Sequence, residues 1–376
     1  MSEIYQPWFP RDEYLHRVER VQRTLRERGL SALLAFQPES VTYLTGFYSR
    51  GYGALQFAVI PAEGTPCLVC RDTERFYVEH SCVFPDARFW SDRDDPFAVA
   101  TEVIRRMVGR DEQVGIELEA WQLNAARYQA LCKKLPDLYC QDASDVVLRL
   151  RRVKSLTEIA YQRRAASAAE AGMQAAVDTA RAGISERELA AEVCAALVRA
   201  GSDQPGPGVL ASGERALHLH GDYSDRVLDS HDLLQLEVRA CAHHYHARFM
   251  RPIRLGGASE ADHRLAETLI NIQDEALAAV RPGVPATVPD AIYRDAILSK
   301  RLASSYTSKT FYSLGLLLAP CSGEPLEAAP GCDWLFEENM VFHTYLLVQG
   351  FGFSETIAIT ADGHERLTRF PRSLIA

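Results

Sequence analysis

No run of about 18 consecutive apolar residues occurs in this chain, so nothing in it reads as a membrane-spanning helix. Basic charge is also in short supply. The 41 Lys and Arg are outnumbered by 50 Asp and Glu, giving a net charge of −9. Nucleic acids and anionic membranes both want a basic patch, so neither is an expected partner. Metal-type cysteine spacing is missing. The lone CxxC, Cys67-Leu68-Val69-Cys70, has no second CxxC and no His at zinc spacing, and it reads as the core of a strand. Nine cysteines without clustering fit reduced thiols and a cytoplasmic location. The start, Met1-Ser2-Glu3-Ile4-Tyr5, carries neither a basic nor an apolar segment, so no signal peptide is expected. No low-complexity tract and no internal repeat is visible.

What is present is a pattern of two domains, the default for 376 residues. The expected boundary separates 1–153 from 154–376. In the first part, Tyr14, Val18, Val21 and Leu25 mark a helix over Arg11 to Gly29, and Gly29 is its stop signal. Apolar strands follow at Ser31 to Phe36, Leu55 to Ile60 and Val114 to Glu117, with a helix starting near Trp121. This alternation predicts an α/β domain. After about residue 150 the chain turns alanine-rich and helical over Leu156 to Ala182. A second helix runs from Ser185 to Ala200, with Ser185 and Glu188 at capping-box spacing. The loop Gly201 to Gly208 leads towards strands at Leu233 to Cys241 and Tyr245 to Leu255, joined by a tight turn. Helices near Glu260 to Val280 and Val288 to Leu302 precede strands at Met340 to Val348 and Phe353 to Thr360. Long helices beside an antiparallel sheet predict an α+β domain.

Several motifs carry a resemblance. Phe9-Pro10 with Glu13, Tyr14 and Arg17, then Val41-Thr42-Tyr43-Leu44-Thr45-Gly46, resemble the N-domains of creatinase-like and ectoine-hydrolase-like proteins. Lys154 and Glu158 match the family's interdomain linker. His220-Gly221, Ser224-Asp225-Arg226, Met340-Val341-Phe342-His343 and the stretch from Thr356 to Gly363 resemble the second domain in order and spacing. The chain thus resembles the creatinase, prolidase and methionine aminopeptidase superfamily. The resemblance implies an α/β N-terminal domain plus an α+β pita-bread C-terminal domain.

It also implies five metal-ligand positions: two Asp, one His and two Glu. Here those positions fall on Glu237, Arg248, Leu314, Tyr345 and Ser354 (or, with a slip of one, Glu355). Divalent ions need several anionic oxygens or imidazoles at about 2.0 to 2.3 Å, and a guanidinium repels them. No metal and no other cofactor is therefore expected.

The resemblance makes His220 the candidate for proton transfer, since an imidazole titrates near neutrality; a solvated loop histidine is the plainer alternative. Glu237 and Arg248 are expected on neighbouring strands, facing one pocket. They either grip substrate or form a structural ion pair. Glu355 is a further candidate carboxylate, but Ser354 and Glu355 must point to opposite faces of their strand. Tyr345 and His343 share a face and either line the pocket or fill the core. His244, His246 and His343 could together hold zinc, although His243 and His244 lie at a turn with no acidic neighbour. Cys321 reads as a loop cysteine rather than a nucleophile. Arg50 and Tyr52 match the region that creatinase-like dimers use to grip substrate across subunits.

These residues predict a homodimer acting on a small-molecule substrate. The predicted reaction is metal-independent hydrolysis of a C–N bond in an amidine, guanidine or amide. Glu237 or Glu355 would assist His220. A lyase or isomerase on the same scaffold and a non-catalytic binding module are the alternatives.

Overall fold

The helix marked by Tyr14, Val18, Val21 and Leu25 forms over Arg11–Glu27 and buries all four. It ends as the sequence predicts. Gly29 adopts φ 67°, and the amide of Leu30 closes on the carbonyl of Leu25 at 2.9 Å, the pattern of a glycine-terminated helix. The computed structural model describes residues 6–204 and 206–376. Met1 to Tyr5, read above for a signal peptide, and Pro205 of the 201–208 loop lie outside the described residues. The chain divides into two units, Met1–Arg151 and Arg152–Ala376. Among the described residues no helix is long and apolar enough to cross a membrane.

Among the described residues the first unit holds six strands: β1 Ala32–Ala35, β2 Phe57–Pro61, β3 Cys67–Arg71, β4 Ala87–Trp90, β5 Gln113–Ile116 and β6 Tyr139–Asp142. Their order is β4-β3-β2-β1-β5-β6, parallel except where β2 runs against β1 and β3. Leu34, Phe36, Phe57, Val59, Val69 and Ile116 fill its core. Each such side chain removed from water contributes roughly 1.5–3 kcal/mol. Cys67 and Cys70 are buried and unbridged in β3, as the apolar run predicts. Burial pushes the Cys67 thiol up to about 12. One segment left unassigned and one local reading are settled here. Val41 to Thr45 closes a helix, Pro38–Thr45, capped by Gly46 at φ 79°. The helix placed near Trp121 begins at Ala125, because the Asn124 side chain accepts the Arg127 amide and caps it there.

Among the described residues the second unit has eight strands: β7 Leu210–Ser212, β8 Leu233–Ala242, β9 Tyr245–Arg254, β10 Phe311–Ser313, β11 Glu327–Ala328, β12 Val341–Val348, β13 Phe351–Ile359 and β14 His364–Arg366. They form two antiparallel sheets, β7-β8-β9 and β11-β10-β12-β13-β14. Each sheet is built on a hairpin with a two-residue, left-handed turn, His243-His244 in one and Gln349-Gly350 in the other. A pair of helices precedes each hairpin: Leu156–Thr179 with Glu186–Arg199, then Glu260–Ala278 with Thr287–Ser299. The half-to-half repeat that the sequence hides is thus plain in the element order.

Alanines and Gly172 line the buried face of Leu156–Thr179. A Cβ at Gly172 would stand 2.9 Å from both Leu197 and Val238, so the helix lies tight on the first sheet because it lacks side-chain bulk there. Capping boxes at Ser155/Glu158 and Ser185/Glu188 fix the helix starts and contribute about 1 kcal/mol each.

Candidate functional site

Strand alternation builds the site. Leu234, Leu236, Val238 and Ala240 of β8 pack into the core shared with the first helix pair. Glu237 and Arg239 therefore face the other way. On β9, Arg248 is directly opposite Arg239, and Met250 directly opposite Glu237. The expectation that Glu237 and Arg248 meet is met by geometry: Arg248 Nη1 lies 3.4 Å from Glu237 Oε1. The same Nη1 donates to the Tyr312 hydroxyl at 3.0 Å, and Nη2 donates to the Ser322 carbonyl at 2.5 Å. Nε of Arg248 is buried without a partner among the described residues. Burial opposes the charge of Arg248, but Tyr312 and Glu237 outweigh it and hold the guanidinium protonated.

The second sheet joins this cluster through hydroxyls. Thr356 Oγ1 accepts from the Arg248 amide at 2.9 Å and donates to the Arg248 carbonyl at 2.8 Å. Ser354 Oγ accepts from the Met250 amide at 2.7 Å. Across the hairpin, His343 is opposite Thr356 and Tyr345 opposite Ser354. His343 stacks on Tyr345 at 5.3 Å and meets Tyr312 edge-on at 4.9 Å. Neither ring nitrogen of His343 has a hydrogen-bond partner among the described residues. Burial, with Arg248 close by, holds this imidazole far below its ordinary 6.5, so it is neutral.

Glu355 is not part of this cluster. It points to the opposite face of β13, where Arg251 pairs with it at 2.8 Å and Thr368 donates to it at 2.5 Å. The placement of Glu355 as a catalytic carboxylate is corrected on that ground: its oxygens are consumed in a fully buried ion cluster. The proposed trio of zinc histidines does not assemble either. His246 faces the Leu317 carbonyl at 3.1 Å and His244 faces Gln204 at 3.3 Å, while His343 stands among tyrosines. Leu314 is core, packed with Ile159, Ala165, Ala247 and Val341. Its neighbour Ser313 donates to Glu324 at 2.6 Å, and Lys154 reaches the same carboxylate at 2.7 Å.

His220 lies on an exposed loop with φ 67°, next to Gly221, whose carbonyl accepts from Leu210 of β7 at 3.0 Å. Its ring makes no hydrogen bond among the described residues. Arg50 and Tyr52 belong to the first unit, where the Tyr52 ring lies 6.2 Å from Trp121. Three contributors were missed in the sequence. Arg239 could have been found from alternation with Glu237, but Tyr312 and the Ser322 carbonyl come from a strand and loop with no pattern that announces them.

The family description "Metallopeptidase family M24" matches residues 160–361, and "Creatinase/Prolidase N-terminal domain" matches residues 17–153. An "Uncharacterized hydrolase/peptidase y4tM" of Sinorhizobium fredii is 27% identical, over 96% of this chain and 97% of that protein. An ectoine hydrolase of Halomonas elongata is 25% identical, over 97% and 98%. The crystal structure of a prolidase from Pyrococcus horikoshii superposes with a TM-score of 0.85 at 22% identity, covering 96% of this chain and 100% of that one. That last likeness establishes the two-domain pita-bread fold.

The first of these descriptions implies a metal ion, and the side chains here do not fit one. Of the five positions that the resemblance assigns to ligands, Glu237 alone offers a carboxylate to the cluster, and Arg248 is already paired with it. Leu314 is sealed in the core, and the Ser354 hydroxyl is spent on a backbone amide. Burial pushes the Tyr345 phenol well above its usual 10, so it is no anionic ligand near neutrality. Among the described residues no group of three or more His, Cys, Asp or Glu could hold a metal ion.

Proposed function

Since the chain belongs to metallopeptidase family M24, a family of hydrolases and peptidases, we propose that it cleaves a C–N bond of a small polar metabolite without a metal ion. The observation that carries this reading is the buried Arg248 guanidinium, held by Glu237, Tyr312 and Ser322 at a position that the resemblance assigns to a metal ligand. A fixed guanidinium in a dry site stabilises negative charge developing on a carbonyl or amidine carbon under attack, an effect worth about 10²- to 10³-fold in rate. His220 is the proton carrier: it takes a proton from the attacking water and returns it to the leaving nitrogen. Water oxygen then bonds to carbon as the C–N bond breaks, and the leaving group departs as a neutral amine. Glu237 orients the nitrogen that leaves. In this reading the protein acts as a cytoplasmic homodimer, with Arg50 and Tyr52 of a second copy closing the pocket.

The test is a hydrolysis screen of amides, amidines and guanidines with protein treated with a chelator and assayed for metal content. Activity that persists without metal, is lost in His220→Ala and places ¹⁸O from labelled water in the product supports the reading. Activity lost to the chelator and restored by manganese or zinc overturns it.

A further inference from the structure

The face that carries Glu237 and Arg248 also carries a second arginine, Arg239, which Glu237 attracts but which no group among the described residues pairs with. Arg239 stands directly opposite Arg248 in the β8–β9 register. Like charges so placed, with Cβ atoms about 4.5–5.5 Å apart, repel one another and need an anion to offset them. Glu237 is the nearby acid, but it is engaged by Arg248. Among the described residues Arg239 makes no hydrogen bond and no ion pair, and it is half-buried rather than free in solvent. The other polar groups around it cannot help. His246 and His343 are buried and held neutral, and the Tyr312 hydroxyl already accepts from Arg248. Two guanidiniums against one carboxylate leave this face with one unbalanced positive charge. Burial and the Arg248 charge both push the Arg239 guanidinium downward, as expected of a cation waiting for a partner.

We propose that Arg239 is a specificity residue that takes one carboxylate of the substrate in a two-pronged pair. Both Nη groups of Arg248 are committed to Glu237, Tyr312 and the Ser322 carbonyl, so Arg248 cannot present a free fork. Arg239 can, and a planar guanidinium matches a carboxylate in shape as well as charge. The expected substrate is therefore a monocarboxylate whose scissile C–N bond lies towards Arg248. The role of holding the carboxylate moves from Arg248 to Arg239, and Arg248 keeps the task of polarising the reacting carbon. This deepens the hydrolase reading and rests on it for the word substrate; the anion site stands on the geometry of β8 and β9.

The experiment measures binding without turnover, so a failure of the hydrolase reading does not disguise a failure of this one. The full chain is titrated calorimetrically, at constant ionic strength, with acetate and succinate and with acetamide as the neutral control. The expected result is carboxylate binding at least tenfold tighter than acetamide binding, and a loss of at least tenfold in Arg239→Gln that Arg239→Lys only partly restores. In the wild-type protein, succinate should also shield Arg239 from phenylglyoxal, read by peptide mass, which keeps the test open if the variants fold poorly. Equal binding of acetate and acetamide, carboxylate binding unchanged in Arg239→Gln, or no shielding of Arg239 overturns the proposal.

Discussion

Strand β9 carries two buried arginines on opposite faces, and they have opposite characters. Arg251 is saturated. Its Nε donates to the Pro371 carbonyl, its Nη1 to Met250 and Ser354, and its Nη2 to Phe370 and to Glu355 at 2.8 Å. Arg366 and Arg372 approach the same carboxylate at 3.8 and 3.5 Å. Arg248 meets its carboxylate at a loose 3.4 Å and leaves Nε unpartnered among the described residues. A finished ion cluster locks a fold together, whereas an unfinished one retains capacity for a ligand. The difference separates structure from chemistry on a single strand.

The sharpest way to break this comparison is to remove each arginine in turn. Arg251→Gln leaves Glu355, in a site that excludes water, with only Thr368 and the longer contacts to Arg366 and Arg372, and the expected cost is about 3–5 kcal/mol of stability. Arg248→Gln should cost less than half as much, because Glu237 keeps some contact with solvent, as its 9% exposure shows. Chemical denaturation measures both, and equal losses would erase the distinction. On activity the order reverses. Arg248→Gln should lower kcat by about 10²- to 10³-fold, the usual effect of deleting a preorganised charge-stabilising group.

Acid gives a second test, this time between the two units. In the second unit His246 and His343 are buried with pKa values well below the ordinary 6.5, burial being the main cause and Arg248 the next. The unfolded chain binds protons below pH 6.5 that these folded residues refuse. Stability is then full above 6.5 and falls with acidification, by up to about 1.4 kcal/mol per pH unit for each histidine. The first unit has the opposite slope. Burial pushes Glu117 up to about 7 from the ordinary 4.5. The folded state binds that proton more tightly, so acidification from pH 7 towards 4.5 adds stability there. Hydrogen exchange at pH 7.5 and 5.5, resolved by peptide, should show loosening around β9 and β12 and tightening around β5. Uniform change across both units would contradict these assignments.

The fold was readable from the chain because its signals are local. Tyr14 to Leu25 keep helical spacing, Gly29 ends that helix, and Ser185 with Glu188 starts another. The pairing of Glu237 with Arg248 was readable too, since a tight turn fixes the register of the two strands. Glu355 was misplaced for a physical reason. Every residue of β13 is buried, so the strand has no polar and apolar alternation to say which side faces the site. Tyr312 and Ser322 were invisible because distant segments meet Arg248 only after the two sheets join. His220 rests on resemblance, and the local residues give it no partner that would have singled it out.

The smallest expected effect is also the most discriminating about the site. His343 sits between Tyr312 and Tyr345 with both ring nitrogens buried and unbonded among the described residues. A residue kept only for packing would be better as phenylalanine, which fills similar space and has no polar atom to leave unsatisfied. His343→Phe should therefore raise stability at pH 7 by about 1 kcal/mol, the lower end of the cost of an unsatisfied buried polar group. It should also remove one histidine's share of the acid slope. If His343 lines the site, the same substitution lowers kcat/KM while Tm rises, which is the usual exchange between stability and function. A rise in Tm with unchanged activity assigns His343 to the core. A fall in Tm means that its nitrogens are satisfied in solution, and that the aromatic wall beside Arg248 is wetter than its packing implies.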